Sequence, residues 1–211
     1  MRIDPAGVPF ILFACLPAAV VAFFAPMGAV ALLVLPVGIA LFFRDPERSP
    51  PADPGAVLAP ADGRVMHAGP ARAGEAPDGD WLQVTIFLSV LDVHINRTPV
   101  AGTVTRVTFV PGTFRAAFRH DAFRNEHSEI WIDAGGTVVV TRQVVGLLAR
   151  RVVCRVAPGQ TLAPGARIGL MKFGSRMDVF VPTSATLTVA TGARVTAGET
   201  LIARLGRTGA R

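Results

Sequence analysis

Trp81-Leu82-Gln83-Val84-Thr85-Ile86-Phe87-Leu88 is the stretch on which the fold class turns. Aromatic and β-branched residues fill it, and the polar Gln83 and Thr85 alternate with Val84, Ile86 and Leu88. A period of two is the signature of a strand with one apolar face turned to a core. Moving outward, similar short runs occur at residues 104–110, 129–132, 137–141, 151–156, 178–181 and 185–189, with Gly and Pro between them. No long stretch after Val57 holds a helical period. Short strands at regular spacing predict a mainly β domain, a sandwich or barrel, over residues 56–211.

Two turn segments echo each other. They are Pro158-Gly159-Gln160-Thr161-Leu162-Ala163-Pro164-Gly165 and Thr191-Gly192-Ala193-Arg194-Val195-Thr196-Ala197-Gly198. Their glycines suit corners that need positive φ, and such turns recur in flattened sandwiches of the biotinyl and lipoyl type. Residues 115–126 are polar and read as one or two helical turns or a loop.

The front of the chain differs. Residues 8–43 contain no charged side chain. As one helix they would run about 54 Å, too long for one crossing of a hydrocarbon core of about 30 Å. Pro26-Met27-Gly28 is a turn signal near the middle, so residues 1–43 are expected to form a membrane-associated helical hairpin. The run is also too long for the apolar region of a signal peptide. Arg2 precedes it and Arg44 and Arg48 follow. That pattern puts both ends, and the domain behind them, on the cytoplasmic side of the cell membrane. Residues 44–55 are charged and Pro-rich and read as an extended linker.

The 211 residues are 51% hydrophobic and only 17% charged, which excludes intrinsic disorder. The net charge is +6, and Lys172 is the sole lysine. Aromatics are not interleaved with the arginines, and the tail residues Arg204, Arg207 and Arg211 stand behind an apolar anchor. The basic charge therefore fits an anionic membrane surface and not nucleic acid. Cys15 and Cys154 make no disulfide framework. No Cys/His cluster has zinc-ligand spacing, so no metal is expected.

Polar residues gather after an apolar strand in Leu91-Asp92-Val93-His94-Ile95-Asn96-Arg97-Thr98-Pro99, the sort of place where sites are built. Asp62 lies in the turn Ala59-Pro60-Ala61-Asp62-Gly63, where an Asx-turn is the plain structural reading. Ser175 lies in Met171-Lys172-Phe173-Gly174-Ser175-Arg176-Met177-Asp178. Gly174 offers an unhindered carbonyl and tolerates strained φ/ψ, so the Ser175 hydroxyl can attack it. A lone histidine in a β domain is usually structural, which is the plain reading of His67, His120 and His127.

Six pieces stand in a telling order: Phe42-Phe43-Arg44-Asp45-Pro46-Glu47-Arg48, Pro60-Ala61-Asp62-Gly63, Asp92-Val93-His94-Ile95-Asn96-Arg97, Arg124-Asn125-Glu126, Arg142-Gln143-Val144-Val145-Gly146 with Ala149-Arg150-Arg151, and Gly169-Leu170-Met171-Lys172-Phe173-Gly174-Ser175-Arg176. With the apolar segment ahead of them, they resemble phosphatidylserine decarboxylase proenzymes of the short type. The resemblance runs from about Phe42 to Leu205.

It implies a pyruvoyl enzyme. Asp62 would orient His94, and His94 would act as general base on the Ser175 hydroxyl. Attack on the Gly174 carbonyl would give an ester, then dehydroalanine, then a pyruvoyl group, leaving a β chain of residues 1–174 and an α chain of 175–211. The pyruvoyl group would form a Schiff base with the serine amine of phosphatidylserine, yielding phosphatidylethanolamine. Arg97 and Arg176 would bind phosphate or carboxylate, and Asn125 and Glu126 would line the site. Longer relatives carry a second histidine where this chain has Arg97, so His94 would cover both processing and decarboxylation, or His67, His120 or His127 would assist. Pyridoxal phosphate is disfavoured, because Lys172 would have to hold it and no phosphate-binding glycine loop accompanies it. A homodimer is compatible with this reading. The competing reading of the same turns and anchor is a membrane-anchored adaptor with a biotinyl/lipoyl-like sandwich and no catalysis.

Overall fold

The computed structural model describes residues 2–147, 152–172 and 174–206, apart from the side chain of His120. It divides into two compact units, Met1–Glu47 and Arg48–Arg211.

The first unit is a helical hairpin pinned at its base. Strand β1 (Arg2–Ile3) pairs antiparallel with β2 (Arg44–Asp45). Between them run α1 (Val8–Phe24), α2 (Pro26–Leu32) and α3 (Val34–Phe42). The Asp4 carboxylate accepts the Ala6 N–H at 2.9 Å and starts the first helical turn. Residues Pro5–Phe24 form one helix long and apolar enough to cross a membrane, and Pro26–Phe42 is shorter. The helix breaks at Ala25, with φ −148° and ψ 80°. Pro26-Met27-Gly28, expected as the turn, instead begins α2. Proline is favourable at a first helical position, where its fixed φ helps and its missing N–H costs nothing. The expected linker is divided: Arg44–Asp45 belong to the strand pair, and the second unit begins at Arg48.

The second unit is a mainly β sandwich, as the alternation at residues 81–88 implied. Its strands are β3 (Ala56–Leu58), β4 (Gly63–Pro70), β5 (Trp81–Leu88), β6 (Ile95–Arg97), β7 (Gly102–Val110), β8 (His127–Asp133) and β9 (Val138–Val144). There follow β10 (Val153–Cys154), β11 (Thr161–Leu162), β12 (Arg167–Leu170), β13 (Ser175–Pro182), β14 (Thr186–Leu187), β15 (Arg194–Val195) and β16 (Leu201–Arg204). The long sheet has the order β11-β7-β8-β9-β13-β5-β4-β15, and two short ladders run β10-β12-β6 and β14-β16-β3. Residues 120–124 form a 3₁₀ turn, the short helical turn expected there.

These orders reveal an internal two-fold repeat. The half-sheet β11-β7-β8-β9 matches β15-β4-β5-β13, and the first short ladder matches the second. The irregularities match too. The β7–β8 register shifts between Val104 and Arg106, and β4–β5 between Val65 and His67. The β12–β6 register shifts between Arg167 and Gly169, and β16–β3 between Leu201 and Ala203. Met171 N–H donates to the His94 carbonyl in one half, and Leu205 N–H to the Gly55 carbonyl in the other. The echoing turns meet at Gly165 and Gly198, where a Cβ on either would lie 3.4–3.5 Å from the other's Cα. The axis passes between Thr141 and Val179, which pair at the centre of the long sheet.

One face of the long sheet forms the apolar core. Val84, Ile86, Ile130, Ile132, Val139, Met177 and Val179 pack there with Val57, Ile168 and Ile202 from the short ladders. The other face is polar yet also buried. Gln83, Thr85, Arg176 and Asp178 lie on it, under Glu75 from the loop between β4 and β5.

Candidate active site

The two halves differ at one strand end. In the first, β8 and β9 are joined by a tight hairpin, in which Ala134 N–H donates to the Thr137 carbonyl. In the second, the matching ends of β5 and β13 pair, Leu88 against Ser175, but are not joined. The chain leaves at Leu88 into the loop carrying Asp92 and His94, and returns from β12 through Gly174 into Ser175. The candidate residues Gly174, Ser175 and His94 gather at this opened end.

Gly174 has φ +70°, a left-handed conformation that favours glycine. Its carbonyl oxygen packs onto Gly146: a Cβ at position 146 would lie 1.9 Å from it. Ser175 is the first residue of β13 and is fully buried. Its hydroxyl donates a long hydrogen bond of 3.4 Å to the Lys172 carbonyl. Strand β6 brings His94 to the same place, because Ile95 pairs with Leu170 and Met171 N–H reaches the His94 carbonyl. The His94 ring is fully buried, and Nδ1 lies 2.9 Å from the Asp92 carbonyl. A carbonyl can only accept, so Nδ1 carries a proton, and in the neutral tautomer the lone pair is on Nε2. The Asp92 carboxylate in turn holds the loop, accepting from Ser89 N–H and from Arg194 at 2.8 Å each.

The Asp62 carboxylate accepts two hydrogen bonds from Arg48, at 3.0 and 2.8 Å, and a third from Ala197 N–H at 2.8 Å. Asp62 thus ties the start of the second unit to the 191–198 turn, while His94 Nδ1 is held by the Asp92 carbonyl.

Other expected residues are also engaged in the fold. Arg97 is buried and donates to the Gly165 carbonyl at 2.9 Å. Arg176 is buried on the polar face of the long sheet, bonded to Asp178 at 2.8 Å and to Glu75. Asn125 uses its whole amide: it donates to the Arg115 and Val145 carbonyls and accepts from Arg115 N–H and Thr113 Oγ1. It fastens the 113–119 loop to the end of β9. Glu126 extends this seam through its backbone, to Thr113 and Val145. His67 contacts the Pro70 carbonyl at 2.9 Å. His127 is buried with Nδ1 2.8 Å from the Asn125 carbonyl, and burial lowers its pKa so that the ring stays neutral near pH 7. The His120 side chain, residues 149–151, Arg207 and Arg211 lie outside the described residues.

Two buried amides were not foreseen. Gln143 Nε2 donates to Asn96 Oδ1 at 2.8 Å. Both are quoted in the sequence motifs, but burial of an amide pair leaves no mark on spacing or periodicity. Outside the opened end, a cavity of about 190 Å³ is lined by Phe87, Val90, Ala117, Phe118, Leu147 and Gly174 itself. Val90, Leu91, Phe118 and Leu147 are exposed around it. Larger hollows, near Trp81 and Pro182, lie at the other end of β13. Among the described residues no group of three His, Cys, Asp or Glu could hold a metal ion.

Comparison with known proteins bears on this end of the sheet. The family model for phosphatidylserine decarboxylase matches residues 38–203. The chain is similar to the phosphatidylserine decarboxylase proenzyme of Solibacter usitatus, at 43% identity over 97% of both chains. It is also similar to the proteins of that name from Desulfotalea psychrophila, at 39% identity over 94% of both, and Geobacter sulfurreducens, at 42% over 93% of both.

Arg176 gives a direct check on its structural placement. Arg176→Met should take the guanidinium from the buried Glu75 and Asp178 carboxylates, leaving Glu75 its longer 3.9 Å contact with Arg72, and cost about 3–5 kcal/mol, read as a lower denaturant midpoint. An unchanged midpoint would show that Arg176 is not holding the polar face together.

Proposed function

The chain belongs to the phosphatidylserine decarboxylase family, and from that premise we propose that it converts phosphatidylserine to phosphatidylethanolamine with a pyruvoyl group made from its own Ser175. The observation that carries this reading is the Gly174–Ser175 bond itself. It joins a left-handed glycine to a buried serine at an opened strand end, and the proposed base His94 is tied by its carbonyl to Met171, three residues before Gly174.

The residues fit the formation of such a group. His94 Nε2 takes the proton from Ser175 Oγ, and Oγ attacks the Gly174 carbonyl carbon. The C–N bond then breaks, leaving Gly174 esterified to Oγ and the nitrogen of residue 175 as a free amine. Loss of the Cα proton expels the Gly174 carboxylate and leaves dehydroalanine at position 175. One water adds, ammonia leaves, and the new α chain begins with a ketone. The ketone supplies the electron sink that decarboxylation of an amino acid requires.

The surroundings favour a lipid substrate. The cavity beside Gly174 is lined by apolar side chains, and the exposed Val90, Leu91, Phe118 and Leu147 border it. Such a rim suits the boundary between headgroups and acyl chains, and the net charge of +6 suits an anionic surface. The apolar helix Pro5–Phe24 supplies an anchor, and the flanking arginines favour the cytoplasmic face. Asp62 and Arg97 serve as positioning residues, through Arg48 and the Gly165 turn respectively.

Mass analysis of the purified chain tests the processing step. The wild type should resolve into two chains divided between Gly174 and Ser175, the smaller with a blocked N-terminus. Ser175→Ala should remain a single 22.2 kDa chain without decarboxylase activity. Normal cleavage in that variant would refute the assignment. His94→Ala should slow cleavage by about 10²-fold or more. Gly146→Ala should also slow cleavage, because its Cβ would meet the Gly174 oxygen. A rate equal to wild type would show that this contact does not set the carbonyl's position.

A further inference from the structure

The internal repeat supplies a control for every residue near the opened end. Matching the two short ladders places Asn96 of β6 where β3 has Val57, since Asn96 pairs with Gly169 and Val57 pairs with Ala203 at the same step of each bulged ladder. Matching the two halves of the long sheet places Gln143 of β9 where β13 has Val181. Val57 and Val181 are buried members of the apolar core. The fold therefore accepts an apolar pair at these two positions, and one half has it. The other half carries two amides, Asn96 and Gln143, both fully buried.

This exchange is costly unless the amides are used. A buried polar group that lacks a partner loses its hydration without return. The pair makes one mutual hydrogen bond, and among the described residues Asn96 Nδ2 and Gln143 Oε1 have no other partner. Exchanging oxygen and nitrogen in both amides does not change the result: one N–H donor and one carbonyl acceptor remain over.

Position gives the surplus a purpose. Asn96 lies on β6, which begins directly after His94. Gln143 of β9 pairs with Met177, two residues from Ser175 on β13, and so is a diagonal neighbour of Ser175 on the same face. The amide pair thus links the strand that follows His94 to the sheet neighbour of the strand that carries Ser175.

We propose that Asn96 and Gln143 are a polar cradle for self-processing at Ser175. The proposal rests on the reading above and deepens it. Attack of Oγ on Gly174 creates an oxyanion, which needs a donor, and then a free amine at residue 175, which needs an acceptor. The pair holds one of each. Its complete burial is no obstacle, because the reacting groups belong to the chain and no ligand has to enter.

The experiment copies the other half of the molecule. Asn96→Val, Gln143→Val and the double variant are each produced as the full chain. Their cleavage rate is followed by mass analysis and their unfolding temperature by calorimetry. Each single variant leaves one amide facing a valine and should unfold at a lower temperature. The double variant should recover the unfolding temperature of the uncut Ser175→Ala chain, yet cleave about 100-fold more slowly than wild type, as expected when an oxyanion donor is lost. Recovery of stability without recovery of cleavage is the signature that a structural role would not give. A double variant that cleaves at the wild-type rate would overturn the proposal, as would one whose unfolding temperature stays as low as the singles. A wild-type chain that is never cut would overturn the self-processing reading and the cradle with it. A wild type cut normally beside an equally fast double variant would overturn the cradle alone.

Discussion

The pairing of β9 with β13 is the interaction on which the second unit depends. It joins the two halves at Thr141 and Val179, on the axis of the internal repeat. It also fixes the register of both faces. Met177 and Val179 are delivered to the core, while Arg176, Asp178 and Phe180 are delivered to the other side. A slip of one residue would exchange these sets and bury Arg176 among aliphatic groups. The ion pairs of Arg176 with Glu75 and Asp178 penalise that slip further, since each charge would lose its partner. Ser175 is the first residue of this same strand, so the register that builds the sheet also sets where its hydroxyl sits.

Symmetry accounts for the single location of the proposed chemistry. Two strand ends are equivalent by the repeat, and the Ala134–Thr137 turn closes one of them. A closed hairpin has no free space for a loop bearing a base. At the other end Leu88 and Ser175 pair without being joined, so the connection must go elsewhere. It goes out through Asp92 and His94 and returns from β12 by way of a left-handed glycine. The half that remained closed has Gly55 where the open half has His94, and valines where the open half has Asn96 and Gln143. At these three positions the opened half is polar and the closed half is not.

The fold was readable because burial on the core face follows a period of two. Trp81–Leu88 showed it directly, and the echo between residues 158–165 and 191–198 was a true sign of the repeat. The turn at Pro26 was displaced by one residue, since proline both breaks and begins helices. At the site, Ser175, Gly174 and His94 stood out because their residue types carry chemistry in one local string. Asp62 and Arg176 were picked out as well, but not the partners they bond, because those partners are remote in sequence. Arg48 and Ala197 lie 14 and 135 positions from Asp62, and Glu75 lies 101 from Arg176. No local pattern distinguishes an arginine that meets a ligand from one buried under a loop. Asn96 and Gln143 were silent for a similar reason, as their contact spans 47 positions.

The contact on His94 bears on the proposed route. The Asp92 carbonyl lies 2.9 Å from Nδ1 and can only accept, so that nitrogen keeps a proton and the ring is fixed in one orientation. Only Nε2 is then left to exchange protons. On the route proposed for self-processing, the hydroxyl proton removed at the first step must reach the leaving nitrogen at the second, and the same ring edge would carry it both ways. That route asks one histidine to serve both halves of a proton transfer, in a chain that has Arg97 where longer relatives have a second histidine.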